Sequence, residues 1–211
     1  MARSASAPSS LTVLFGLSIL IAASCPAFAG DLVALGSERV LPGETAMIPI
    51  YAVDASATAL GGDQALDLQI QGLSIGVRPN SSFASAPTFV AAGPLASLTP
   101  LVETTVTAGG TTSWVTAFHP VNDPVSLPLD TSTVIGMLSV PVSASTPLGT
   151  VIDLQLAPAF TAFSNAGGTV MLNGSNNGLT LTDGSILVES TPLFEDSFES
   201  GDVSAWSASF P

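Results

Sequence analysis

Apolar and polar residues alternate with a period of two in several short stretches of the chain. The clearest stretches are residues 46–51, 66–71, 73–77 and 152–156. Successive side chains of a β-strand point to opposite faces, so this alternation predicts strands with one buried and one solvated face. Runs rich in Val, Ile, Leu and Thr predict further strands near residues 101–107, 112–118, 134–142 and 168–172.

Residues that interrupt regular structure separate these runs at intervals of about ten residues. The 16 prolines and 19 glycines are scattered along the chain and leave almost no place for a helix to begin. We therefore expect an all-β fold, a sandwich or a barrel, in which the half-buried strands run antiparallel. Asp183-Gly184 favours a tight hairpin turn within residues 180–188, whereas residues 81–99 and 173–178 predict irregular loops.

The first 29 residues differ in kind from the rest of the chain. A polar start leads into an apolar run over residues 11–23, too short for a membrane-spanning helix, and a small-x-small site ends at Ala29. These parts predict a secretory signal peptide over residues 1–29, cleaved between Ala29 and Gly30. A lipobox-like stretch ending at Cys25 leaves acylation of that cysteine and anchoring to a membrane open as an alternative.

The charge of the expected mature chain narrows the choice of partners. Arg39 and Arg78 remain against 16 acidic residues, which leaves a formal net charge of −14 and no lysine. Nucleic-acid binding depends largely on Lys and Arg, so nucleic acid is excluded as a partner, as is electrostatic docking to anionic lipid. No second long apolar segment follows the signal, so we expect no transmembrane segment in the mature chain.

No pattern of residues points to catalysis. Residues 72–76 fit the G-x-S-x-G motif of α/β-hydrolases, but the alternation continues through them and predicts a strand where that motif needs a turn into a helix. His119 is the only histidine and lies in a predicted loop. With one histidine and no mature cysteine, a conventional zinc site is excluded. Asp130 and Asp183 fall in predicted turns, where we expect each to bond the backbone two residues further on.

Three stretches resemble the sequence pattern of cohesin domains: residues 40–50, 135–154 and 183–188. The first has a Pro-Gly-acidic turn before a strand ending in Ile-Pro-Ile and looks like the family's first hairpin. The second has a strand, a Gly-containing turn and another strand, and the third is similar to the family's closing strand. Together with the residues between them they cover nearly the whole expected mature chain, in the right order.

The resemblance implies an antiparallel β-sandwich of about nine strands and of jelly-roll topology, related to carbohydrate-binding modules. It also implies a non-catalytic interaction module. Classical cohesins bind the calcium-loaded dockerin modules of polysaccharide-degrading enzymes through one exposed sheet face. The chain departs from the family near residues 66–79, where the family has Asp-Pro and this sequence has Arg78-Pro79. Fold does not fix function, so this departure leaves the identity of the partner open. We expect Asp67, Gln69 and Gln71, which share one face of a predicted strand, to contact it.

The C-terminal residues 190–211 form a separate acidic tail after the predicted domain over residues 30–189. It resembles a short ending seen on other exported bacterial proteins. The role of the tail stays open between two alternatives. One is a sorting or docking signal, because large aromatic residues are costly to leave exposed, and the other is a solvated acidic tail with two incidental aromatic residues. The residues that carry the motif are Asp196, Phe198, Glu199, Asp202 and Trp206. We expect no cofactor, although the carboxylates of the tail leave a calcium ion open as an alternative.

The sequence therefore predicts an exported, non-enzymatic module, secreted or at a bacterial cell surface, that binds a protein partner and is linked to polysaccharide breakdown. Two alternatives stay open. A carbohydrate-binding module would bind polysaccharide through a sheet face with exposed coplanar aromatic residues. A glycosidase or other hydrolase would need two carboxylates that face each other in a cleft.

Overall fold

The computed structural model of the protein describes residues 30–118, 124–175 and 178–189. The strands of sheet A are β1 (Asp31–Leu35), β3 (Thr45–Val53), β5 (Thr88–Ala91), β8 (Thr133–Pro141) and β12 (Leu179–Thr182). The strands of sheet B are β2 (Ser37–Val40), β4 (Gly72–Pro79), β6 (Val102–Ala108), β7 (Thr111–Ala117), β9 (Val151–Leu156), β10 (Ala162–Ser164), β11 (Met171–Asn173) and β13 (Gly184–Val188). The short 3-10 helices are Leu66–Leu68, Gly93–Ser97 and Pro158–Phe160.

The two sheets pack on each other as a β-sandwich, which confirms the expected all-β fold. Sheet A has the strand order β12-β1-β3-β8-β5. Sheet B has the order β11-β10-β4-β9-β13-β2, and β7 also pairs with β4 and carries β6 at its outer side. Most neighbours are antiparallel, as predicted, but β1 runs parallel to β12 and β2 runs parallel to β13.

The first and last strands explain both the parallel pairs and the number of strands. The chain passes from sheet A to sheet B at Gly36, between β1 and β2, and again at Asp183, between β12 and β13. A side chain on Gly184 would collide with the carbonyl oxygen of Gly36, so the two crossings fit together only because these residues are small. The described residues form thirteen strands, more than the nine expected. The first and last strands are each divided in two, and the β10–β11 hairpin adds two more.

Two predicted hairpins are wrong because their strands separate into different sheets. In residues 180–188, β12 pairs with β1 in sheet A, whereas β13 pairs with β9 and β2 in sheet B. In residues 40–50, β2 and β3 also lie in different sheets. The turn between β2 and β3 is closed by a hydrogen bond from the Glu44 N–H to the Leu41 carbonyl at 3.1 Å, with Gly43 at a φ of 89°. Such turns connect the sheets of the sandwich rather than neighbouring strands.

The strand predicted over residues 66–71 is wrong. Leu66–Leu68 form a 3-10 turn, in which the Leu68 N–H donates to the Ala65 carbonyl at 2.8 Å. The alternating leucines find no neighbouring strand to pair with, and Ile70 alone of the three apolar residues is buried. The loop predicted over residues 81–99 is also partly wrong, because it contains β5, which pairs with β8 at the edge of sheet A.

The core between the sheets is built from the inward positions of the alternating strands. Trp114 on β7 is its largest buried side chain and extends from sheet B to sheet A. Its ring stacks on Phe89 of β5, with centroids 5.8 Å apart, and reaches Gly136 on β8, where an added Cβ would lie 3.5 Å from Trp114 Cζ3. The indole N–H donates to Glu103 Oε1 at 3.0 Å, so the polar atom of this buried side chain is satisfied.

Within the described ranges, the longest helical segment is the five-residue turn Gly93–Ser97, and no helix is long and apolar enough to cross a membrane.

Candidate protein-binding face

The outer face of sheet B is flat at its centre because small side chains occupy it. Three positions of β4 face outward here opposite three positions of β7: Gly72, Ser74 and Gly76 opposite Ala117, Val115 and Ser113. The residues between them point into the core, so the same alternation that fills the core leaves this strip nearly without large side chains. A surface of this shape can be approached closely by another protein.

A segment after β9 is fastened across one end of this strip. Ser74 Oγ donates to the carbonyl of Phe160 at 2.8 Å, and the Gly76 N–H donates to Thr161 Oγ1 at 3.2 Å. A Cβ on Gly76 would lie 2.5 Å from the Phe160 Cβ, so glycine is required beneath it. The Phe160 side chain remains 51% exposed and stands at the border of the face. Ser74 therefore lies on a strand, as the sequence predicted, and the structure adds that its hydroxyl fastens the Phe160 segment.

A shallow depression of about 200 Å³ includes one end of the flat strip and has a mostly apolar lining. Its floor includes Ser74 and Val115, and Met171 of β11 forms part of its wall with 47% of its surface exposed. Pockets that enclose small molecules usually measure about 300–1,000 Å³, so this depression is suited to a few side chains of a partner.

The remaining part of the face is polar and carries one free positive charge. Arg78 faces outward on β4 opposite Gln155 of β9 and forms no ion pair with any described residue. Asp153, also on β9, is bound by Asn80, whose Nδ2 donates to Asp153 Oδ2 at 2.6 Å. Because Asn80 already satisfies part of this carboxylate, Arg78 is the charged group on this part of the face that is most available to a partner.

The two outer faces of the sandwich differ in how much apolar surface they expose. Large exposed apolar side chains on or beside sheet B are Val102, Val106, Val151, Phe160 and Met171. Those on the strands of sheet A are Met47 and Val90. Large exposed apolar patches mark interaction sites in soluble proteins, so sheet B presents the better candidate.

The residues expected to contact a partner are not brought together by one strand. Asp67 is exposed in the 3-10 turn, Gln69 is half-buried, and Gln71 is 2% exposed. The Gln71 amide donates to the Leu66 carbonyl at 3.4 Å. Their contact with a partner is tested by nothing in the structure and stays a prediction, but Gln71 offers almost no surface for it. The sequence places these three side chains on one strand face because residues 66–71 alternate, but residues 66–68 form a 3-10 turn.

Several other predicted positions lie outside the described residues. These are Ala29, Cys25, His119 and the tail residues Asp196, Phe198, Glu199, Asp202 and Trp206. Gly30, the expected mature N-terminus, is the first described residue and is buried.

The residues of this candidate face that the sequence missed are Phe160, Met171 and Arg78. The first two could not have been found, because neither belongs to an alternating pattern. Arg78 carried a signal: it is one of two arginines in the expected mature chain and stands at an outward position of an alternating strand.

Two buried carboxyl groups form a separate feature in sheet A. Asp31 begins β1, Asp54 follows β3, and neither has exposed surface. Asp31 Oδ1 accepts the Ala55 N–H at 2.9 Å and Asp54 Oδ2 accepts the Gly62 N–H at 2.7 Å, while the second oxygen of each has no partner among the described residues. Burial raises the pKa of Asp31 to about 6 and also raises the pKa of Asp54. These groups fasten the loop after β3 and are closed to a substrate.

The sequence predicts that Asp130 and Asp183 each bond the backbone two residues further on, and this prediction is wrong. Both side chains accept hydrogen bonds from distant segments instead. Asp130 Oδ1 accepts the Ser56 N–H at 3.0 Å, and Asp183 Oδ1 accepts the Leu156 N–H at 2.8 Å. Each therefore ties two separate segments together. Across the described ranges, no three His, Cys, Asp or Glu side chains are grouped so that they could hold a metal ion.

Comparison with known proteins identifies the architecture. No protein-family model and no curated protein sequence matches the chain. Among solved structures, the third cohesin of ScaC from Acetivibrio cellulolyticus, in complex with the ScaB dockerin, is 22% identical with a TM-score of 0.56 over 76% of this chain and 99% of that one. The seventh ScaB type I cohesin from Pseudobacteroides cellulosolvens is 18% identical with a TM-score of 0.53, over 80% and 98% of the two chains. A non-cellulosomal cohesin from Archaeoglobus fulgidus is 10% identical with a TM-score of 0.51, over 77% and 93%.

The chain has a cohesin-like fold. The expected resemblance is thereby confirmed at the level of structure. At these identities the likeness concerns the fold, and what the cohesin-like domain binds has to be argued from its own surface.

Proposed function

We propose that this cohesin-like domain is a non-catalytic module that binds a protein partner through the outer face of sheet B. The observation that carries the proposal is the flat strip of small residues, one end of which lines a shallow apolar depression. Large apolar side chains border the strip, so a partner can bury apolar area at the centre and keep polar contacts at the rim, as protein interfaces commonly do.

The charge on the face favours a partner that presents a carboxylate to Arg78. This arginine lacks an ion pair among the described residues, and its guanidinium can bind a carboxylate with two hydrogen bonds. The resembled family pattern has an acidic residue where this chain has Arg78, so the charge is reversed there. A dockerin-type module remains the first class of partner to test, but we expect a sequence complementary to an arginine.

Export, a cell-surface location and a link to polysaccharide breakdown belong to the same proposal. Export and the location rest on the predicted signal peptide over residues 1–29 and on the tail over residues 190–211. The link to polysaccharide breakdown rests on the resemblance to cohesin domains alone. A glycan-binding role has less support from the described residues. A glycan-binding face would carry several exposed coplanar aromatic rings. Among the described residues, Trp114 is buried, and Phe160 is the large exposed aromatic side chain.

Substitution of Met171 by lysine is expected to abolish capture of the partner. The protein, immobilised with and without calcium, is exposed to the secreted and envelope fractions of its source organism. A lysine in the wall of the depression places an unpaired charge in the buried centre of the interface, which weakens binding by about 100-fold or more.

The matched control is Met47→Lys on sheet A, since Met47 is 42% exposed and Met171 is 47% exposed. The proposal predicts that a protein is retained by the wild type and by Met47→Lys and is lost with Met171→Lys. Equal retention by all three, loss with Met47→Lys alone, or recovery of polysaccharide in place of protein would refute it.

A further inference from the structure

Strand β6 leaves an unprotected edge on sheet B. It pairs only with β7 among the described strands, and all seven of its residues are exposed. The other edge strands, β2, β5, β11 and β12, have three or four residues each. Natural sheets usually protect long edges with lysine, proline, bulges or a covering segment, and β6 has no lysine or proline and a regular register with β7.

The sequence of β6 is suited to pairing with another strand. It reads Val-Glu-Thr-Thr-Val-Thr-Ala, in which β-branched residues predominate. Its only charge is Glu103, and that carboxylate is turned toward β7, where it accepts the indole N–H of Trp114 at 3.0 Å. The charge therefore does not guard the open edge.

The turn into β7 defines which backbone groups of β6 are free. Gly109 and Gly110 have φ of 59° and 80°, as in a type I′ two-residue turn, so Ala108 and Thr111 form the hydrogen-bonded pair that closes the hairpin. Hydrogen-bonded pairs alternate along an antiparallel ladder. The N–H and C=O groups of residues 103, 105 and 107 therefore point away from β7, toward solvent.

We propose that this edge is a self-association site at which β6 pairs antiparallel with β6 of a second copy, centred on Thr105. The three free positions are symmetric about Thr105, so each copy supplies the donors and acceptors that the other needs. Glu103 then lies opposite Thr107 of the second copy, and the two glutamates are about 13 Å apart along the strand. This spacing exceeds the screening length of about 8 Å at physiological salt. No like charges face each other directly.

Such a dimer joins the two copies of sheet B into one continuous sheet. Residues directly opposite each other in an antiparallel pair lie on the same side, so the outer faces of both copies point in the same direction. The inference is independent of the proposed function, but if both hold, the dimer presents two partner-binding faces side by side. A seven-residue edge buries less area than a standard interface, so we expect a dissociation constant on the order of 100 µM.

Sedimentation equilibrium of the purified protein up to about 1 mM, where a dimer of this strength is mostly assembled, tests the proposal. The net charge of −13 on the whole chain repels a second copy, so the dimer should strengthen when salt is raised from about 50 to about 500 mM. A protein that remains monomeric throughout, or that pairs only with a strand of another protein, overturns the proposal.

A charge variant and its isostere identify the surface. Thr107→Glu places two pairs of like charges directly across the dimer and should weaken it about tenfold, whereas Thr107→Gln should leave it within about twofold of the wild type. Both variants lose the same hydroxyl contact with Thr112. Thr105→Pro removes a free N–H without removing a β6–β7 hydrogen bond, and it should abolish the dimer with near-UV circular dichroism unchanged. Dimers of unchanged strength in Thr107→Glu and Thr105→Pro would contradict the assignment.

Discussion

Replacement of Trp114 by alanine is expected to lower the free energy of unfolding by about 3–5 kcal/mol. The side chain is 2% exposed and connects β7 of sheet B with β5 and β8 of sheet A, so its removal leaves a cavity between the sheets. It also leaves Glu103 without the hydrogen bond from the indole N–H. Urea unfolding monitored by far-UV circular dichroism gives the change in free energy.

Trp114→Phe is the control for this substitution. Phenylalanine keeps most of the buried area and the ring contact with Phe89, so we expect a loss of about 1–2 kcal/mol from the smaller volume and the missing hydrogen bond. An alanine variant as stable as the phenylalanine variant would show that Trp114 does not hold the two sheets together.

The stability of the protein is expected to fall as the pH rises through about 6, because of Asp31. Burial raises the pKa of this carboxyl in the folded state from 3.8 to about 6. The folded state therefore binds a proton more tightly than the unfolded state. The part of the unfolding free energy that comes from the proton on Asp31 is fully present below pH 3.8 and is lost as the pH rises through about 6. A shift of this size corresponds to about 3 kcal/mol, and the raised pKa of Asp54 acts in the same direction.

Asp31→Asn separates this effect from the titration of other groups. Asparagine retains an oxygen that accepts the Ala55 N–H but carries no charge, so relative to this variant the wild type should lose about 3 kcal/mol between about pH 3 and pH 7.5. A constant offset between the wild type and Asp31→Asn across this range would contradict the burial of an ionisable group at this site.

The sequence predicted the fold well where a strand is half-buried in a sheet. β3, β4 and β9 follow their alternating patterns closely, because one face of each packs on the core and the other meets solvent. Residues 66–71 show the limit of this reasoning. They alternate as clearly as β4 does, but no strand is available beside them, so the backbone closes a local turn instead.

The pairing of strands was harder to predict than the strands themselves. Asp183-Gly184 has the composition of a hairpin turn, and in the fold it carries the chain from one sheet to the other. The close contact between Gly184 and Gly36 that makes this possible joins residues at opposite ends of the domain. No local sequence signal reports such a contact.

The candidate face was only partly predictable for the same reason. Ser74 stands at a polar position of an alternating strand, so the sequence places it on the exposed side of the sheet. Val115 lies in a predicted strand without clear alternation, so its facing required the structure. The depression also needs Met171 and residues of β10, which reach β4 only through the inserted hairpin. The sequence shows that Arg78 is one of two arginines in the expected mature chain. The structure was needed to show that it forms no ion pair with a described residue.

Methionine oxidation, followed residue by residue with mass spectrometry, tests the binding face most directly. Met171 on sheet B and Met47 on sheet A are similarly exposed, so brief peroxide treatment of the free protein should oxidise both at similar rates. Once the captured partner is bound, the proposed face predicts that Met171 is protected and Met47 reacts as before. Protection of Met47 with continued oxidation of Met171 would place the partner on the opposite face and contradict the account.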